Sequence, residues 1–196
     1  MTTNSPVVEG ASFALFDTPI GRCAILWLGD RIVGAALPES SEARLRARLE
    51  RRFPGASEES PPSDVADTID MIQRMLGGER IDLSAIPIDL PATTNFEDAV
   101  YAAARRIPCG EVRTYGEIAS EIGEPRATQA VGAALGRNPI PIVIPCHRVL
   151  GADGRSGGFS APGGTATKFR MLEIEGARRP GDPELFEDLP LAVRPD

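Results

Sequence analysis

The sequence holds one histidine, His147, and three cysteines, Cys23, Cys109 and Cys146. One histidine excludes a His-rich metal site, and three cysteines without CxxC spacing exclude both a fully paired disulfide scaffold and a cysteine zinc site. No apolar run approaches the roughly 20 residues that span a bilayer, and Met1–Gly10 lacks the basic and apolar regions of a signal peptide. The expected setting is therefore the cytoplasm. Net charge is −7, which gives no general support for a nucleic-acid partner. The charge is uneven, however. Met1–Leu90 is −5, Pro91–Pro180 is +2 and Gly181–Asp196 is −4. With 196 residues, 42% hydrophobic and 25% charged, the chain is an ordinary globular protein of one or two domains. Its 20 glycines and 18 prolines predict many turns.

The first half has the pattern of a small α/β unit. Ser12–Asp17, Arg22–Leu28 and Ile32–Leu37 are short, apolar and β-branched, and predict an antiparallel meander with a tight turn at Gly29–Asp30. Ser41–Phe53 carries Leu45, Leu49 and Phe53 at helical spacing, as does Val65–Leu76 with Val65, Ile69, Ile72 and Leu76. Pro54–Ser63 has the composition of a linker. Ile81–Ala92 is extended and broken by prolines, which places a domain boundary near residue 90. The expected division is 10–90, 91–178 and an acidic tail, 179–196.

The second half is helical. Asn95 is positioned to cap a helix to about Arg106. Thr114-Tyr-Gly-Glu117 fits a capping box opening a short helix to about Ile122. A third helix is expected from about Arg126 to Leu135, and the pair, joined by a turn containing Gly123, is a helix-turn-helix candidate. By spacing alone a plain αα-hairpin is the better reading of this pair. The third helix is rich in small residues, which suits close approach to another helix or to a narrow groove.

The stretch from Gly136 to Val149 carries the chemistry. Ile142–Ile144 should be buried and extended, with Pro141 and Pro145 stiffening it. Cys146 and His147 follow. A thiolate is the nucleophile, a free thiol is mostly protonated at neutral pH, and an imidazole can take its proton directly or through water. By itself a Cys-His dipeptide is more simply a structural cysteine beside a capping histidine. Cys23 and Cys109 are assigned to such structural roles.

Pro145-Cys-His-Arg-Val149 resembles the O6-alkylguanine-DNA alkyltransferases, the methylated-DNA–protein-cysteine methyltransferases. The resemblance runs over Phe96–Gly176. It includes Ile107-Pro-Cys-Gly-Glu-Val112, Thr114-Tyr-Gly-Glu-Ile-Ala119, Ala130-Val-Gly132, Arg137-Asn-Pro139, Gly157-Gly-Phe-Ser160, Gly163-Gly164, Lys168 and Leu172-Glu-Ile-Glu-Gly176. A weaker match, Thr18-Pro-Ile-Gly21, resembles the family's N-terminal domain. The resemblance implies an α+β protein: an N-terminal α/β domain with a small antiparallel sheet, then a helical domain with a winged-helix-like helix-turn-helix and the Pro-Cys-His-Arg strip. It implies a protein that binds duplex DNA through the minor groove, flips O6-alkylguanine into a pocket and takes the alkyl group on Cys146. His147 would remove the thiol proton, Glu175 would hold His147, Tyr115 would give a proton toward guanine N3, and Asn138 would stabilise the turn before the strip. Pro141, Val149, Phe159 and Ser160 would line the pocket. Ala127, Thr128 and Gln129 would face DNA, with Arg126 and Arg137 close by. The thioether is not reversed, so each molecule works once, as a monomer and without a cofactor or metal.

Two departures stand out. Gln129 occupies the place of an arginine that intercalates where the flipped base was, and it lacks that residue's charge and planar fork. Ala161-Pro162 lengthens the loop after the site, which also has Phe159 where tyrosine is common. One alternative is a protein that recognises alkylated DNA without transfer, although such relatives replace the cysteine. Another is a Cys-His hydrolase, for which no oxyanion-hole motif is visible.

Overall fold

The computed structural model describes residues 10–90, 93–152, 154 and 163–177. Three strands, β1 (Ser12–Thr18), β2 (Gly21–Leu28) and β3 (Arg31–Ala36), form the predicted antiparallel meander. Gly29, at the β2–β3 turn, has a φ of 59°, a left-handed conformation that favours glycine. Alternation divides the side chains between two faces. Phe13, Ala24, Leu26 and Val33 meet Leu45, Leu49 and Phe53 of helix α1 (Glu42–Arg52) and its end. Phe16, Cys23, Ile25, Trp27 and Ile32 turn to the opposite face, where helix α2 (Ser63–Leu76) packs Val65, Ile69, Ile72 and Met75. The Phe53 ring lies on Gly34, where a Cβ would meet it at 2.5 Å.

The region expected to be a plain linker contains a short edge strand, β4 (Ser57–Glu58), parallel to β1. It gives the sheet the order β3-β2-β1-β4. Backbone pairing with the β1 edge organises this polar, proline-flanked stretch: Ser57 N–H donates to Ala11 O and Glu59 N–H to Phe13 O.

Helix α3 (Asn95–Arg105) begins one residue earlier than the sequence suggests. Thr94, not Asn95, is the cap: its hydroxyl accepts the Glu97 N–H while the Glu97 carboxylate accepts the Thr94 N–H. The predicted capping box at Thr114 and Glu117 is present and opens α4 (Tyr115–Glu121). Helix α5 (Thr128–Gly136) follows and packs on α3 and α4. The buried hydroxyl of Tyr101 on α3 donates to Ala134 O of α5 at 2.9 Å. A two-stranded parallel pair, β5 (Arg113–Thr114) and β6 (Val149–Leu150), ties the start of α4 to the end of the cysteine strip. Helix α6 (Gly164–Ile174) closes the described structure.

The two halves share one core, since a single buried cluster runs from Ala14 through Val100 and Ile144 to Met171. The segment 81–90 lies along the β3 edge, with Asp89 N–H donating to Ile32 O. Ala35 N–H of β3 donates to Pro139 O at 3.0 Å, and Arg52 Nη2 donates to Asn138 O at 2.8 Å. The N-terminal sheet and helix α1 therefore hold the turn that leads to Cys146. No helix among the described residues is long and apolar enough to cross a membrane.

Candidate active site

Asn138 organises the strip before the cysteine. It is buried; its Oδ1 accepts the Ile140 N–H at 2.9 Å and its Nδ2 donates to Ile144 O at 2.8 Å. One side chain thus bridges the two ends of a loop that also closes through Ile144 N–H to Ile140 O at 2.9 Å. Ile142–Ile144 is buried as expected but is not extended. Ile142 has a φ of 80°, a conformation costly for a β-branched residue. The Asn138 bridge and the packing of four apolar side chains around it, Ile140, Ile142, Val143 and Ile144, force a tight turn where the composition favours a strand.

Cys146, His147 and Arg148 then form one turn of 3-10 helix, which sends successive side chains in different directions. All three are buried. His147 Nε2 lies 2.8 Å from Glu175 Oε1. Arg148 grips the same carboxylate, with Nε 2.8 Å from Oε2 and Nη2 2.9 Å from Oε1. Its Nη1 donates to Ile107 O, and Nη2 reaches Met75 Sδ of α2 at 3.5 Å. The Gly110 N–H completes the set, 3.3 Å from Oε2.

Glu175 and Lys168 reach the site from one face of α6. Positions 168, 171, 172 and 175 follow helical spacing, and all four are buried. Lys168 Nζ donates to Val149 O at 2.6 Å and lies 5.8 Å from the centre of the Tyr115 ring. A Cβ added at Gly132 of α5 would meet the same ring at 3.8 Å. Tyr115, half-buried at the start of α4, is thus brought between α5 and α6 beside the cysteine turn.

Burial dominates the electrostatics. It pushes the Cys146 thiol up, against the Asn138 side-chain hydrogen bond and the Lys168 charge. It pulls Lys168 down to about 8, against the attraction of Cys146. For Glu175 burial acts upward but is outweighed by His147 and Arg148, which hold the carboxyl at about 2. His147 is pulled below its ordinary value by burial, which outweighs Glu175. A charged His147 and a charged Arg148 cannot both be compensated by one carboxylate. Arg148 is a permanent cation, so at neutral pH the carboxylate is ionised and the imidazole neutral. Donation from Nε2–H to Glu175 then leaves Nδ1 with a free lone pair. That atom is buried and has no hydrogen-bond partner among the described residues.

The structure therefore gathers Cys146, His147, Glu175, Tyr115 and Asn138 into one place. Pro141 and Val149 are close in chain and fully packed; Val149 is 0% exposed. Phe159, Ser160, Ala161-Pro162 and the 179–196 tail lie outside the described residues. Thr128 and Gln129 are exposed at the start of α5, Ala127 is half-buried, and Arg126 is exposed in the turn before it. Helix α5 begins at Thr128, after that turn, and not at Arg126. Arg137 pairs with Glu97 at 2.9 Å while remaining largely exposed. The sequence pattern assigns no role to Arg148 or to Lys168, the only lysine of the chain. The spacing of Lys168 to Met171, Leu172 and Glu175 was the available signal for the second.

The sequence profile of the 6-O-methylguanine DNA methyltransferase DNA binding domain matches residues 95–177. The methylated-DNA–protein-cysteine methyltransferase of Mycobacterium tuberculosis is 42% identical over 126 residues, 64% of this chain and 74% of that protein. The crystal structure of Mycobacterium tuberculosis OGT in complex with DNA superposes with a TM-score of 0.68 at 34% identity, covering 90% of this chain and 99% of the other. The O6-methylguanine-DNA methyltransferase of Pyrococcus kodakaraensis gives 0.63 at 29% identity over 84% and 99%.

Proposed function

The chain belongs to the O6-methylguanine-DNA methyltransferase family, and we propose that it repairs O6-alkylguanine in duplex DNA by moving the alkyl group irreversibly onto its own Cys146. The observation that carries this reading is the buried turn in which Cys146 stands beside a His147–Glu175 pair. Residues 91–178 form the DNA-binding alkyltransferase unit, residues 10–90 buttress it, and residues 179–196 are an acidic tail. The protein works in the cytoplasm, as a single chain and without a cofactor.

Helix α5 enters the minor groove, and Ala127, Thr128 and Gln129 face the duplex, flanked by Arg126 and Arg137. The damaged guanine leaves the stack, at a cost of a few kcal/mol that is lower for a weakened pair. Pro141, Val149, Phe159 and Ser160 are the residues that the family resemblance would place around it. His147 Nδ1 takes the Cys146 proton through a water, and the sulfur attacks the alkyl carbon. One S–C bond forms as the C–O6 bond breaks, and the electron pair passes into the purine ring. Tyr115 supplies a proton toward N3. Asn138 holds the strip so that the sulfur is presented at the turn. In the resting protein burial keeps thiol and imidazole neutral, so charge separates only as the leaving guanine accepts it.

A duplex carrying a single tritiated O6-methylguanine tests this. Label should move to the protein, one per chain, and then stop. Label that stays in a bound duplex would assign the chain to recognition without transfer. Turnover of esters or peptides would assign it to hydrolysis.

A further inference from the structure

The Glu175 carboxylate is shared unequally. It has about four lone-pair sites, and four donors meet them: Arg148 Nε and Nη2, His147 Nε2 and the Gly110 N–H. Two of the four come from one rigid fork, and only that fork carries a permanent charge. The fork is itself fixed from two other elements, by Ile107 O and by Met75 Sδ of α2.

We propose that Arg148 is a positioning residue for the transfer reaction: by holding both Glu175 oxygens it neutralises the carboxylate and keeps His147 an uncharged base that presents Nδ1. This rests on the reading of Cys146 and His147 as nucleophile and base. Without Arg148, the carboxylate would face His147 alone and an imidazolium would be the natural partner. A protonated His147 cannot accept the thiol proton.

The surrounding charges point the same way. Lys168 approaches the turn from α6, Arg80 of the loop after α2 lies beside Cys109 and Gly110, and Asp82 on that loop interacts with Arg148. Cys109, from the turn after α3, and Cys146 also titrate nearby; Tyr115 of α4 lies against Lys168, and Arg52 of α1 and Tyr101 of α3 interact with Cys146. Glu175 is the one buried carboxylate among the described residues. Adding a charge to His147 would leave two cations, His147 and Arg148, on a single carboxylate in a buried site. The direction found for His147, below its ordinary value, agrees with this geometry.

His147 is the only histidine, so ring 15N labelling of histidine gives one imidazole to follow by NMR in the full chain without DNA. The expected wild-type result is a neutral ring at pH 7 with the proton on Nε2 and a midpoint below about 6.5. In Arg148→Met the midpoint should rise by about one pH unit or more, the size of an opposite-charge effect at this range. Transfer by that variant should be slow at neutral pH and recover as pH rises, which simple loss of structure would not produce. Arg148→Lys keeps a charge but not the fork and should fall between the two. If Arg148→Met does not fold, the wild-type titration and Arg148→Lys decide. A wild-type His147 that is cationic at pH 7, an Nδ1–H tautomer, or a midpoint that does not move in the Arg148 variants would overturn the proposal. Because the titration needs no alkylated DNA, a failure of alkyl transfer and a failure of this proposal are separately visible.

Discussion

Lys168 and Glu175 stand seven residues apart on the inner face of α6, and both reach the turn that carries Cys146 and His147. Lys168 does so through Val149 O at 2.6 Å and Glu175 through His147 at 2.8 Å. One helix thus delivers a cation to the cysteine side of the turn and an anion to the histidine side. The two charges lead to different expectations.

Glu175→Gln should be damaging to both stability and chemistry. It leaves the Arg148 guanidinium buried without its counter-charge, a loss of about 3–5 kcal/mol by the behaviour of broken buried pairs. Urea unfolding measures this. The pH dependence has a definite sign. The folded carboxyl sits at about 2 against an ordinary 4.5, so its stabilisation is complete above about pH 4.5 and drains away as pH falls toward 2. The wild type should lose roughly 3 kcal/mol over that window through this group, and Glu175→Gln should lack that slope.

Lys168→Met should flatten the alkaline side. The folded ammonium titrates at about 8 against an ordinary 10.5, so the folded state binds fewer protons than the unfolded state between these values. Stability contributed by this group therefore rises as pH climbs from 8 to 10.5, and the variant should lose that rise in unfolding curves. It should also slow alkylation of Cys146 by iodoacetamide at pH 8, since the nearby positive charge that favours the thiolate is gone.

Asn138→Ala should loosen the loop before the cysteine. It leaves the Ile140 N–H and the Ile144 carbonyl without the buried partners they now have. At about 1–3 kcal/mol for each unsatisfied group, a total near 3 kcal/mol is expected in denaturant unfolding. The transfer rate should fall with it, because Ile142 is then free to leave its left-handed conformation and carry Cys146 out of place.

Gln129→Arg should strengthen binding to duplex DNA. Each added phosphate contact steepens the dependence of log K on log salt by about 0.9. Fluorescence anisotropy from 50 to 200 mM salt should show a shallow slope for the wild type and a steeper one for the variant. An unchanged slope would mean that the new side chain contacts no phosphate.

Much of this was legible in the sequence because it is local. The alternation in β1–β3, the faces of α1 and α2, and the Thr114–Glu117 capping box follow from rules that act within a few residues. What was not legible depends on tertiary packing. Ile142–Ile144 has the composition of a strand, and only the Asn138 bridge turns it. Thr94 outcompetes Asn95 as a cap because Glu97 lies three residues after it. Arg148 and Lys168 look like solvated charges in the sequence, as most arginines and lysines are. Their roles appear only when α6 places Glu175 against one and β6 offers the Val149 carbonyl to the other. Glu175, His147 and Cys146 were named through the family resemblance, not through spacing. The 27 residues between His147 and Glu175 carry no periodicity that would join them.

The most direct test of the central claim is to place the alkyl group on a named atom. Trypsin cuts the chain so that Cys146 lies on the peptide Asn138–Arg148, while Cys23 and Cys109 fall on other peptides. After mixing with an equimolar duplex carrying one O6-methylguanine, peptide mass spectrometry should find one methyl group on Asn138–Arg148, located to Cys146, and an unmodified guanine in the DNA. A methyl group on Cys23 or Cys109, or a repaired duplex with an unmodified Cys146, would contradict the account.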